Sequence, residues 1–301
     1  MRKDRIDAVG AAALIGFSLL MGINQALIKL VNAGLAPAFQ AGLRSACALP
    51  LVLLFALAAG RRLSLSDGSL WPGVVCGVLF SGEFLLLFLG LEYTAVSRAS
   101  VLFYTMPVWV ALGAHFLIPG EPLNPRRGLG LVLAVAGVAL ALLGRAPSLG
   151  PEALIGDLMC LGGAACWAGI ALVVRTTRLQ RAEPEMQLLY QLAVSALVLL
   201  AAAPLFGELV RAVTPAIAGI FAFQVVFVVS VGFLTFFWVL RHYPASDMAA
   251  FTFLAPLFGV LAGWIILDEP ISPAILGALA LVGTGIVLVN WKPRAKAAPV
   301  A

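Results

Sequence analysis

Residues 91–122 read LEYTAVSRASVLFYTMPVWVALGAHFLIPGEP, and residues 240–270 read LRHYPASDMAAFTFLAPLFGVLAGWIILDEP. With Pro107 set against Pro256, Ser97 falls on Ser246 and Phe103 on Thr252, while Glu121-Pro122 lies one residue out of step with Glu269-Pro270. Each copy is a polar turn, a long apolar segment broken by proline, and an acidic-Pro exit. A proline inside a helix removes one backbone hydrogen bond and frees the carbonyl four residues earlier, that of Phe103 in one copy and of Thr252 in the other. Pro107 and Pro256 are therefore candidate hinges. The plainer alternative is an ordinary kink, since proline is common in membrane helices.

The rest of the chain supplies the medium for these breaks. Of 301 residues 62% are hydrophobic and 11% charged, against about 25% charged in a soluble domain. This composition reads as an all-α polytopic membrane protein. The net charge of +5 comes from basic residues scattered over short loops, with no stripe that would suit nucleic acid. Cys47, Cys76, Cys160 and Cys166 all lie inside apolar segments, which fits packing rather than disulfides or zinc. The first apolar segment is too long for the core of a signal peptide, and no cleavage site follows it.

A straight helix needs about 20 residues to cross the hydrocarbon core. Ten segments qualify: 8–31, 37–59, 70–90, 97–118, a short 128–143, 153–174, 186–206, 216–240, 245–267 and 273–291. The loops between them leave no room for a soluble domain. Lys and Arg are in excess on the cytoplasmic side of membrane proteins. With a cytoplasmic N-terminus, fourteen basic residues fall inside and three, Arg98, Arg145 and Arg211, fall outside. Both basic tails then share the cytoplasmic side, which requires an even number of helices.

The repeat divides the chain into residues 1–146 and 147–301, five helices each. Five is odd, so the second unit enters from the opposite face and the two form an inverted-topology pair. Paired interruptions at matching places in such halves mark the substrate site of a secondary transporter.

These residues resemble a known family. Ala95, Ser97, Ala99, Ser100, Pro107-Val108, Glu121, Gly130 and Gly137-Val138, with Ala245-Ser246, Pro256-Leu257, Glu269, Gly277 and Gly283 in the second copy, are similar to the repeat of the EamA-type drug/metabolite transporters. Ile118-Pro119-Gly120 departs from the usual aliphatic-Gly pair before the acidic residue. Within the superfamily the similarity is to the bacterial aromatic amino-acid exporters. The resemblance implies a ten-helix exporter in the bacterial inner membrane, with no cofactor or metal, whose cavity lies between the halves.

Several residues are candidates for that cavity. Ser18, Gly22, Gln25 and Lys29 share one face of the first helix, with Asn24 beside it; Ser18 and Gly22 equally suit a close helix contact. Lys29 can instead snorkel to the headgroups or form an ion pair. Arg44 lies toward the outer end of its helix and reads as reaching back to the interface. Glu83 is the acidic residue nearest mid-span, with Phe84 beside it. An ionisable residue placed there costs roughly 2.5–3.5 kcal/mol on insertion scales and is a functional candidate by default. Its structural alternative is a buried partner for Lys29 or Arg44. Tyr104, Trp167, Phe227, Trp238 and Phe253, with Gln224 and Thr252, fit a pocket that takes an apolar or aromatic side chain by shape. Gln187, Tyr190 and Gln191 suit an entrance or a solvated helix end.

No nucleophile elbow, HExxH or P-loop is present, so an enzyme or a primary pump is not expected. The expected function is a facilitative or secondary exporter of small amphipathic metabolites, amino acids with aromatic or bulky apolar side chains foremost. Proton coupling through Glu83 is an option, and a monomer suffices in principle. A channel-like pore, or a flippase for a lipid-linked or phosphorylated metabolite, is the alternative.

Overall fold

The computed structural model describes residues 6–144, 150–243, 251 and 253–290. Ten apolar helices run back and forth through it: α1 (Ala8–Asn32), α2 (Pro37–Ala58), α3 (Leu70–Tyr93), α4 (Val96–Leu117), α5 (Pro125–Leu143), α6 (Ala153–Thr176), α7 (Pro184–Phe206), α8 (Pro215–His242), α9 (Leu254–Leu267) and α10 (Pro273–Asn290). Nine are long and apolar enough to span a bilayer; α9 is shorter among the described residues. The chain is an all-helical integral membrane protein.

Local chemistry sets the ends. Five helices open with proline at the first turn, where its missing N–H costs no hydrogen bond. Asn124 caps α5 by accepting from the Arg127 N–H at 2.9 Å, so this helix starts three residues before the apolar run does. Asp7 caps α1 in the same way through Gly10.

The break expected at Pro107 is present. The helical segments Val96–Phe103 and Met106–Leu117 flank a turn at Tyr104 and Thr105. Pro256 lies in the first turn of α9; the carbonyl it would free, on Thr252, lies outside the described residues. A second irregularity had no signal in the sequence. Gln224–Gly232 within α8 is π-helical, a wider turn often found at functional sites.

Neighbour relations fall into matched sets. Helix α1 packs on α8 and α9, while α6 packs on α3 and α4. Helix α2 touches α8, and α7 touches α3. The pairs α2–α7, α4–α9 and α5–α10 meet directly. These relations survive exchange of the first five helices for the last five, whereas the α1–α3, α1–α4 and α4–α10 contacts have no counterpart of similar extent among the described residues. Small residues make the close crossings: a Cβ on Gly130 would strike the carbonyl oxygen of Gly285, and one on Gly285 that of Gly130. Gly22 likewise sits against Gly259 of α9, and the Ser18 hydroxyl donates to the Phe251 carbonyl at 3.2 Å. That face of α1 is thus a helix contact at Ser18 and Gly22.

Candidate functional site

A cavity of about 80 Å³ lies halfway along the bundle, several times the roughly 10–15 Å³ that one water needs. Residues from both halves line it. Asn24 and Gln25 come from α1, Arg44 from α2, Glu83 and Phe84 from α3, Tyr104 from the break in α4, Trp167 from α6, and Val228 from the π-helical turn. The break at Tyr104 brings that ring to the wall, where it meets Trp167 edge-on at 5.9 Å. Phe103 stacks on the same indole at 5.2 Å and lies edge-on to Tyr104 at 5.7 Å.

The polar part of the wall is incompletely satisfied. Among the described residues seven buried side-chain N or O atoms lack a hydrogen-bond partner, and four belong to this wall: Gln25 Nε2, both terminal nitrogens of Arg44, and Glu83 Oε2. Buried polar atoms are ordinarily paired, so such a concentration needs a reason. Arg44 is only 1% exposed and Glu83 5%. The Arg44 guanidinium lies over Phe84 and Phe88, at 4.4 and 4.7 Å from the ring centres, a cation–π arrangement. Behind the wall, Gln40 donates to Gln224 at 3.3 Å and Gln224 to Asn24 at 3.2 Å, tying α2, α8 and α1 together. The Ser100 hydroxyl donates to Gln25 Oε1 at 2.7 Å. That bond fixes the amide and leaves its NH2 group for the cavity.

Six of the expected site residues therefore meet at the cavity: Asn24, Gln25, Glu83, Phe84, Tyr104 and Trp167. Gln224 stands behind them. Others are elsewhere. Phe227 is 48% exposed, because the wide π turn rotates it outward and presents Val228 and Val229 instead. Trp238 is 40% exposed and packs on His242 and Tyr243 near the end of α8, as interfacial aromatic residues do. Phe253 fills the space above Gly283 of α10. Thr252 lies outside the described residues. Gln191 lines the cavity, whereas Gln187 holds loop carbonyls of Leu179 and Ala182.

Lys29 does not reach Glu83. Its ammonium donates to the Thr94 carbonyl at 2.6 Å and faces Glu269 at 3.4 Å. Glu269 in turn accepts from the N–H groups of Val96 and Ser97, at 2.8 and 3.1 Å, capping the start of α4. Close by, Arg98 pairs with the fully buried Asp157, which also accepts from Thr94 at 2.7 Å. These contacts tie α1, α4 and α6 together at one end of the bundle. Arg44 was missed as a cavity residue because its sequence depth, seven residues into α2, suits snorkelling equally; only tertiary packing shows which way it turns.

The EamA-like transporter family model matches the chain twice, over residues 8–143 and 154–291. YvbV of Bacillus subtilis (strain 168), described as an uncharacterized transporter, is 31% identical over 293 residues, covering 95% of this chain and 93% of the relative. The WAT1-related protein At3g02690, chloroplastic, of Arabidopsis thaliana is 26% identical and covers 85% of this chain and 63% of its own. One solved crystal structure superposes with a TM-score of 0.64 at 23% identity, over 93% of this chain and 97% of the other, a likeness of fold alone. With two matches of the family model spanning nearly all of its length, the chain belongs to the EamA-like transporter family.

Proposed function

We propose that this transporter exports small amphipathic metabolites, amino acids with aromatic or bulky apolar side chains foremost, by alternating access to the mid-bundle cavity. The observation that carries this reading is the wall itself: Gln25, Arg44 and Glu83, whose side chains carry buried unpartnered polar atoms, line a space otherwise edged by Phe84, Phe103, Tyr104 and Trp167. Such a wall suits cargo with a polar head and an apolar body. A cavity of this size favours a small molecule over a lipid chain.

The two units, residues 1–146 and 147–301, act in this proposal as inverted copies. Two kinds of contact support it. The most extensive helix pairings are matched under exchange of halves. So are two hydrogen bonds at opposite ends of the bundle: Thr94 donates to Asp157 at 2.7 Å and Tyr243 to Asp7 at 2.6 Å, with the donors Thr94 and Tyr243 149 positions apart and the acceptors Asp7 and Asp157 150 apart. Inverted copies can exchange conformations, which opens the cavity to each side in turn. The distribution of Lys and Arg supports cytoplasmic termini and an outer Lys29–Glu269 end. In this proposal that end is the closed one.

Uptake of a panel of amino acids into proteoliposomes of purified protein, with and without a pH gradient, tests the reading. Saturable uptake of phenylalanine, tryptophan or leucine above empty liposomes is expected, and stimulation by the gradient would identify proton coupling. Transport confined to lipid-linked or phosphorylated cargo would refute it.

A further inference from the structure

We infer that the cavity reads a zwitterion: Arg44, with the amide of Gln25, takes a carboxylate, and Glu83 takes a cationic nitrogen. This rests on the export reading above and names the charged part of the cargo. Arg44 and Glu83 lie on neighbouring helices and line one space, yet neither the terminal nitrogens of Arg44 nor Oε2 of Glu83 are hydrogen-bonded. Two opposite charges held in a low-dielectric interior without bonding each other carry a large desolvation cost. A ligand with its own pair of charges, seated between them, offsets both costs at once.

The geometry selects among cargo classes. The guanidinium lies over Phe84 and Phe88, and its two terminal nitrogens without hydrogen-bond partners form the planar fork that binds a carboxylate through two bonds. Gln25 contributes a third donor. A phosphorylated metabolite would satisfy these donors but bring a second negative charge toward Glu83. A simple amine would satisfy Glu83 and be repelled by Arg44. An amino acid satisfies both, and its side chain extends toward Trp167 and Tyr104. The pair also explains why Glu83 needs no contact with Lys29, which is committed to Thr94 and Glu269 at the end of the bundle.

Equilibrium dialysis of the purified full-length protein in detergent, with protein-free micelles as the blank, tests this with L-phenylalanine, 3-phenylpropionate and phenethylamine. Wild type should bind phenylalanine at least about 10-fold more tightly than either singly charged analogue. Arg44→Gln should weaken phenylalanine and phenylpropionate by roughly 10- to 100-fold, the range of hydrogen bonds to charged groups, and spare phenethylamine. Glu83→Gln should do the reverse, weakening phenylalanine and phenethylamine and sparing phenylpropionate. If either single variant is not monodisperse, the double variant Arg44→Gln/Glu83→Gln, which leaves no lone charge, should lose all preference for phenylalanine over the neutral 3-phenylpropanamide. Equal weakening of all three ligands in Arg44→Gln, unchanged binding in it, or a double variant that still prefers the zwitterion would overturn the inference. Amino-acid uptake with undiminished affinity in Arg44→Gln sinks this inference and leaves the export reading standing; a panel in which no amino acid moves sinks the export reading first.

Discussion

Ser195 donates a 2.9 Å hydrogen bond to Ser45, joining α7 to α2 between two residues 150 positions apart. That separation is within one residue of the 149 between Pro107 and Pro256. If the halves are inverted copies, equivalent residues touch only beside the axis that relates them. Contacts at such an axis keep their spacing while the halves rock. A Ser45→Cys/Ser195→Cys pair, in a background lacking the four native cysteines, should cross-link and retain most transport. Abolition of transport by that cross-link, reversed on reduction, would place the moving boundary at α2–α7 and contradict the proposed motion.

The opposite outcome is expected at the closed end. Lys29→Cys/Glu269→Cys, bridged by a short thiol reagent, should block transport because α1 and α9 must part there. Glu269→Gln alone should raise the reactivity of a cysteine at Asn24 toward a reagent added from the Lys29 side. The pair is partly exposed, with side chains 31% and 12% accessible, so its worth is modest, about 1 kcal/mol or less. A severalfold increase in labelling rate is the expected size, and no change would show that the clamp does not gate access.

Asp157 carries a structural rather than a gating burden. Its carboxylate is fully buried against Arg98 and Thr94. Asp157→Asn leaves the Arg98 charge unpaired, a defect worth roughly 3–5 kcal/mol in soluble proteins. Thermal unfolding in detergent should shift down by many degrees, and replacing Arg98 with Met in the same chain should recover much of it. A single variant as stable as wild type would mean that water reaches Arg98.

How much of this was legible in the sequence differs by level. Helix number and the break near Pro107 followed from apolar run lengths and one missing N–H. Charged ends such as Arg126-Arg127 hid the true start of α5, because a helix cap at Asn124 outweighs local hydropathy. Inside the bundle, burial of Glu83 was readable from its depth. The inward turn of Arg44 was not, since a seven-residue depth serves the interface and the cavity alike. Phe227 was misplaced for another reason: the π-helical turn changes which residues of α8 face inward, and its i to i+5 bonding leaves no mark in the hydrophobic pattern.

Trp167 separates pocket from packing. Its indole is stacked on Phe103 and edges Tyr104 at the cavity wall. Trp167→Ala should weaken transport of phenylalanine and tryptophan by about 10-fold or more, from lost area and ring contact, and affect serine or alanine less. Equal loss for every cargo, with lower protein yield, would mark the ring as core packing.

Counterflow tests the central claim most directly. Proteoliposomes loaded with unlabelled leucine are diluted into labelled phenylalanine, and internal label is followed with time. A carrier with one cavity exposed alternately to each side predicts a transient accumulation of label above the external concentration, absent from protein-free liposomes. Entry that rises to equilibrium with no overshoot would describe a pore and contradict the account.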